Sequence, residues 1–262
     1  MTALKMVFSS AHRKPIPGSG VLDPLVRTNY ANDPLGSALD PLWAPSGKHA
    51  GPGATIDVVE DPAGIKGHVQ RYVVLSGSVL WGGDRCETMT SQIGGDEGAR
   101  YQVRFGLYLP SNFYSDGGAW NSLWDMHYPN DGPAQSPLTG SIRNSNELWL
   151  RVLGGPVTQD GTMGSIRNEA HVATLTKGVW NDLGFDILQH ESQGLMDVWV
   201  NGTKVTSWGY IPTISPNVPN STYWKQGFYR PTNSPSGTQT MYFTDTLMWE
   251  SASPYDMLNW TP

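Results

Sequence analysis

The chain has 262 residues, a formal net charge of −6 and 38% hydrophobic content. That length suffices for one large domain, the acidic balance leaves no basic footprint for nucleic acid, and no segment is long and apolar enough to span a membrane. The single cysteine, Cys86, excludes an intramolecular disulfide framework, and no Cys/His spacing matches a zinc site.

Residues 1–52 are rich in Pro and Gly and repeat Asp-Pro-Leu at Asp23, Asp33 and Asp40. Proline removes a ladder donor and restrains its predecessor, so this stretch is expected to form an extended N-terminal arm, contributing at most an edge strand. Such an arm either wraps the following domain or attaches the protein to a larger assembly. The opening MTALKMVFSSAHRKP lacks the apolar run and small-residue cleavage site of a secretory signal, so either export by another route or a signal absent from this sequence is expected, with an extracellular or virion-associated location.

Residues 53–262 read as one all-β domain, because thirty glycines and twenty prolines punctuate short apolar runs with no long helical period. Strands are expected at Thr55 to Val59, Gln70 to Leu75, Val79 to Trp81, Asp84 to Thr90, Arg100 to Leu109 and Ser122 to His127. Further strands fall at Glu147 to Leu153, Ala170 to Thr174, Trp180 to Leu188, Leu195 to Val200, Lys204 to Trp208, Thr222 to Tyr229 and Thr240 to Trp249. Asn201-Gly202 is the pair favoured by a type I′ hairpin turn. Many short antiparallel strands of this kind point to a two-sheet β-sandwich or jelly roll. Tyr128 to Asn146 and Thr158 to Asn168 read as loops, rich enough in Asp and Asn to leave room for a structural calcium, although no full oxygen-ligand motif is present.

Strand parity sorts chemistry from core in four segments. In Arg85-Cys86-Glu87-Thr88-Met89, Arg85, Glu87 and Met89 share one face. A guanidinium there suits a carboxylate or sulfate, with Glu87 orienting it. In Leu123-Trp124-Asp125-Met126-His127, Leu123, Asp125 and His127 point one way, and a positioned His can act as a general base. Glu147, Trp149 and Arg151 share a face, pairing an aromatic platform with a cation. In Tyr223-Trp224-Lys225-Gln226-Gly227-Phe228-Tyr229, one face is mostly apolar, and the other offers Tyr223, Lys225 and Tyr229 around Gly227, where a ligand has room to approach.

Taken together, RCETM at Arg85, DMH ending at His127 and YWKQGFYR at Tyr223 resemble the three signature segments of the jelly-roll polysaccharide lyases: alginate lyases, glucuronan lyases and the heparin lyase I group. The resemblance covers roughly Asp84 to Ser251 and implies a concanavalin A-like, two-sheet antiparallel sandwich. It implies His127 and Tyr229 as the acid–base pair and Lys225 and Arg85 as the groups that bind or neutralise a uronate, while Glu87, Asp125, Trp149, Arg151 and Tyr223 are expected as substrate contacts from the faces they share. The implied reaction is β-elimination on an acidic polysaccharide, without a cofactor. Two positions depart from the family pattern, with Asp125 where Gln is usual and Met89 where many alginate lyases carry a second Arg. An amide donates to a substrate carboxylate, whereas an ionised Asp repels it. Asp125 is therefore expected to be protonated, turned towards His127 or Arg85, or bridged by a cation; otherwise the site handles a different sugar or no longer catalyses.

Two other classes fit parts of the sequence. A glycoside hydrolase needs two carboxyls across the scissile bond, and Asp125, Glu87 and Glu147 are candidates. A non-catalytic carbohydrate-binding or structural module, such as a phage tail protein meeting cell-surface glycans, accounts for the arm and for the missing Gln.

Overall fold

A computed structural model describes residues 26–28, 30, 33, 35–36, 48–90, 93, 97–114, 121–128, 136–154, 166–215, 222–232 and 237–250. Most of the expected arm, including the tripeptides at Asp23 and Asp40, lies outside the described residues. One sheet has nine strands. They are β1 (Val26–Arg27), β3 (Thr55–Glu60), β4 (His68–Val74), β7 (Arg100–Tyr108), β12 (Trp180–Leu188), β13 (Gly194–Val200), β14 (Thr203–Ile211), β16 (Gln239–Phe243) and β17 (Leu247–Glu250). The other has eight: β2 (Lys48–Ala50), β5 (Val79–Leu80), β6 (Gly83–Met89), β8 (Asn121–His127), β9 (Leu138–Arg143), β10 (Glu147–Leu153), β11 (Ile166–Thr174) and β15 (Tyr223–Pro231). The eight-stranded sheet runs β11-β10-β9-β8-β15-β6-β2, with β5 hairpinned onto β6. The nine-stranded sheet runs β14-β13-β12-β7-β16-β4-β3, with β17 on β7 and β1 on β17. The two sheets form an open β-sandwich of the jelly-roll kind.

Aromatic rings from the two sheets meet in the core. Trp124 of β8 and Trp224 of β15 stack at 4.7 Å, and Phe185 of β12 meets the Trp124 ring edge-on at 4.8 Å. Phe105 of β7 stacks on Phe185 at 5.8 Å. Because both tryptophans point inward, their neighbours Asp125 on β8 and Tyr223 and Lys225 on β15 point out, and this alternation sets the functional face. A buried polar layer lies behind β6, where the Tyr72 hydroxyl meets Gln70 Oε1 and Thr88 Oγ1, each at 2.7 Å. The fully buried pair Asp84 and Arg230 joins β6 to β15.

Three sequence expectations need correction. Residues 138–143, expected to be loop, form strand β9 in the middle of its sheet. Its inward positions are Leu138, Gly140 and Ile142, and Gly140 has no side chain because the Trp124 ring lies over it: a Cβ there would fall 2.2 Å from Trp124 Nε1. The glycine interrupts the apolar alternation by which a strand is recognised. Likewise, β11 begins at Ile166, within a stretch expected to be loop. The last expected strand breaks at Thr244-Asp245-Thr246 into β16 and β17, both paired with β7. The Asn201-Gly202 turn is as expected, with both residues at positive φ (50° and 76°).

Candidate active site

The outward residues of β6, β15 and β8 form one continuous surface. Tyr229 stands opposite Arg85 and Ser122, Lys225 opposite Met89 and Asp125, and Tyr223 opposite His127. From Asp125 the row continues through Thr139 and Arg151 to Glu169. Arg85, Lys225, Asp125, His127, Tyr223 and Tyr229 therefore lie on the same face of three neighbouring strands.

Glu87 gathers the cations. Its Oε2 is 2.6 Å from Arg85 Nη1 and 3.7 Å from Lys225 Nζ, and all three side chains are buried. Burial alone would pull the Lys225 ammonium down, but the charges of Asp125 and Glu87 outweigh it and hold the group above its ordinary range. Lys225 is therefore a fixed positive charge, unsuited to act as a base. The Arg85 guanidinium is held over the Tyr229 ring, 3.7 Å from its centroid, and its Nε donates to Leu80 O at 3.3 Å.

At the other end of β15, His127 stacks on Tyr223 with ring centroids 5.3 Å apart and planes 25° from parallel. His127 Nδ1 is 2.5 Å from the Tyr128 carbonyl, which can only accept, so Nδ1 carries the hydrogen and the neutral ring keeps its lone pair on Nε2. Burial raises the Tyr223 phenol above its ordinary range despite the nearby Lys225, so it stays protonated at neutral pH.

One member of the site was missed by sequence reasoning. His49, on the short edge strand β2, pairs in register with Glu87 and meets the Trp81 ring edge-on at 4.5 Å. Its pKa is lowered to about 4, first by burial and then by the charges of Lys225, Arg85 and His127, with Asp125 opposing. His49 therefore presents a neutral imidazole beside the cation pair. A lone His in a Pro/Gly-rich stretch carries no periodic signal, and only the pairing of β2 with β6 brings it to the face.

The remaining candidates separate. Asp125 is buried and its Oδ1 has no hydrogen-bond partner. Its charge acts on Lys225, Tyr223, Arg151 and His49, and among the described residues no group of three or more His, Cys, Asp or Glu is arranged to hold a metal ion. Arg151 lies in the Asp125 row but two strands beyond it, with Nη2 3.4 Å from Thr139 Oγ1. Trp149 is half-buried under the Arg143 guanidinium, 4.7 Å from the ring centroid, and donates its indole N–H to Glu147 at 2.9 Å. Glu147 also accepts from Asn144, and Glu87 is bound by two cations. Of the three carboxyls considered for hydrolysis, two are thus occupied.

Parity fails at two points. A β-bulge between Ser122 and Trp124 turns Leu123 into the core instead of onto the face of Asp125 and His127. Gly227 does not make room for a ligand. With φ at +140°, a Cβ there would lie 2.4 Å from Cys86 O and 2.8 Å from both Glu87 Cα and the Tyr72 ring, so the glycine serves close packing of β15 on β6.

An open jelly-roll sandwich with cations, imidazoles and phenols aligned on the outer face of one sheet has the form of a polysaccharide-processing protein. Residues 48–247 match the family model described as polysaccharide lyase, and the chain belongs to that family. It is similar in structure to an endo-β-1,4-glucuronan lyase from the fungus Trichoderma reesei, with TM-score 0.66 and 15% identity over 84% of this chain and 95% of that one. The alginate lyase vAL-1 from Chlorella virus gives TM-score 0.53 and 14% identity over 80% of this chain and 93% of that one. A mutant alginate lyase in complex with alginate tetrasaccharide gives 0.51 and 14% over 89% and 100%. At these identities the likeness is one of fold. No curated protein matches the chain.

Proposed function

We propose that this protein cleaves a uronate-containing polysaccharide by β-elimination on the outer face of the eight-stranded sheet. The observation that carries the reading is Lys225, a buried ammonium flanked along β15 by a phenol at Tyr229 and, across from Tyr223, by the imidazole of His127. A uronate C5 proton is only weakly acidic until the adjacent carboxylate is neutralised. Lys225 and Arg85 supply that neutralisation, and His49 adds an uncharged imidazole beside them. His127 Nε2 then accepts the C5 proton, the electron pair forms the C4–C5 double bond, the C4–O4 bond breaks, and the Tyr229 hydroxyl protonates the departing O4. Tyr223 orients His127 by stacking, and the unpartnered Asp125 Oδ1 accepts a sugar hydroxyl. Arg151 and Trp149 contact residues of the polymer further along. Polymers of this kind lie outside cells, so the protein acts extracellularly or from a virion.

The test is the ultraviolet absorbance of the unsaturated uronate product, measured on glucuronan, alginate, heparin and hyaluronan. A rise with at least one polymer is expected. New reducing ends without that absorbance would mean hydrolysis. A second reading, a non-catalytic glycan-binding face, is favoured by one observation: Glu87 and Asp125 already counter the charge of Lys225. Binding without product on every polymer would establish it.

A further inference from the structure

We propose that Trp81 is a sugar-stacking platform, holding the pyranose ring next to the uronate that Arg85 and Lys225 engage. The inference extends the function proposed above and rests on it for the position of that uronate. It starts from a conflict between local sequence and backbone. Leu80 pairs with Gly83, leaving Trp81-Gly82 as a two-residue hairpin loop with φ of 49° and 84°. These are the positive values of a type I′ turn, whose first position favours Asn, Asp or Gly because other side chains crowd the backbone there.

The same chain supplies the comparison. A second two-residue loop of this kind among the described residues, between Val200 and Thr203, has nearly the same dihedrals, 50° and 76°, and carries the favoured Asn201-Gly202. A tryptophan at the equivalent position is a local cost that the turn does not require. Burial does not explain it either, since Trp81 is 64% exposed.

What the indole does have is a location. Its ring stands perpendicular to that of His49 at 4.5 Å and lies 5.6 Å from the Arg85 guanidinium, which is itself 3.7 Å from the Tyr229 ring. Trp81 thus extends the row of Tyr229 and Arg85 beyond β6, at the margin of the cation pair, with much of its surface open. A polymer whose uronate carboxylate reaches Arg85 lays a neighbouring ring over that surface. An indole packs against the C–H face of a pyranose whatever its charge, so the contribution is insensitive to salt, unlike that of the cations.

The test compares Trp81→Asn and Trp81→Tyr in the full chain, in a Tyr229→Phe background so that bound oligosaccharide is not consumed. Asn suits the turn, so Trp81→Asn is expected to unfold at a temperature no lower than the parent. Hexasaccharides of glucuronan, alginate, heparin and hyaluronan, together with cellohexaose, are titrated calorimetrically at two salt concentrations. The expected result is roughly ten-fold weaker binding of the preferred oligosaccharide in Trp81→Asn, by the same factor at both salts, with most of the affinity restored in Trp81→Tyr. Unchanged binding in Trp81→Asn, a lowered unfolding temperature in that variant, or no binding of any probe by the parent would each overturn the inference. Failure of the elimination reading is seen separately, as binding by the unsubstituted protein without unsaturated product, and leaves the stacking inference standing if Trp81→Asn still loses affinity.

Discussion

The guanidinium of Arg85 lies 3.7 Å from the centroid of the Tyr229 ring, on the strand directly opposite it. The contact uses the ring and not the hydroxyl, so Tyr229→Phe keeps it while deleting the proton donor. That variant is expected to fold normally and to lose at least about 10²-fold in turnover, as is His127→Ala. Initial rates of unsaturated product, with thermal unfolding as the control for folding, check both. Full activity in either variant would refute its assigned role.

Asp125 stands opposite Lys225, where the family pattern has an amide. Replacing it with Asn removes a negative charge that repels a polyanion and that offsets Lys225. Asp125→Asn is therefore expected to lower KM for the acidic polymer several-fold at low ionic strength, with the advantage shrinking as salt screens the charges. A higher KM, insensitive to salt, would mean that the carboxylate is itself needed as a hydrogen-bond acceptor.

Gly227 is bounded by backbone atoms that cannot move aside. Gly227→Ala adds a Cβ 2.4 Å from Cys86 O at a φ of +140°. Overpacking and backbone strain together are expected to cost about 2–4 kcal/mol. Denaturant unfolding measures this, and a stability within error of the parent would contradict the packing described.

His49 carries a pH signature. In the unfolded chain it titrates near 6.5, whereas in the folded protein its pKa is lowered to about 4. Between those values the unfolded chain holds a proton that the folded protein does not, so this residue's contribution makes stability fall as pH drops from about 6.5 to 4 and is constant outside that window. His49→Gln should flatten the stability profile there, in denaturation curves collected across the range. Parallel profiles for the two proteins would place His49 away from the cations.

The segment from Tyr223 to Tyr229 shows how far parity carries. Trp224, Gln226 and Phe228 are buried, and Tyr223, Lys225 and Tyr229 emerge on the outer face, as alternation along a strand requires. Parity failed at Leu123, because a bulge adds one residue to β8 relative to β9, and relative register is a property of two strands that neither strand encodes alone. It also failed to find β9, whose inward Gly140 is set by a ring on another strand.

The sequence by itself determined the sandwich, the inward and outward sides of β6 and β15 and, apart from Leu123, of β8, and the family, because alternation and turn residues are local properties that short segments carry intact. Which side chains meet was decided only by the tertiary structure. Strand order and register set His127 on Tyr223, Tyr229 under Arg85, and Lys225 between two carboxylates. They also brought His49, from the stretch expected to be an arm, to the cation pair. Such pairings join residues far apart in the chain and depend on burial and on summed charge, which no single segment contains.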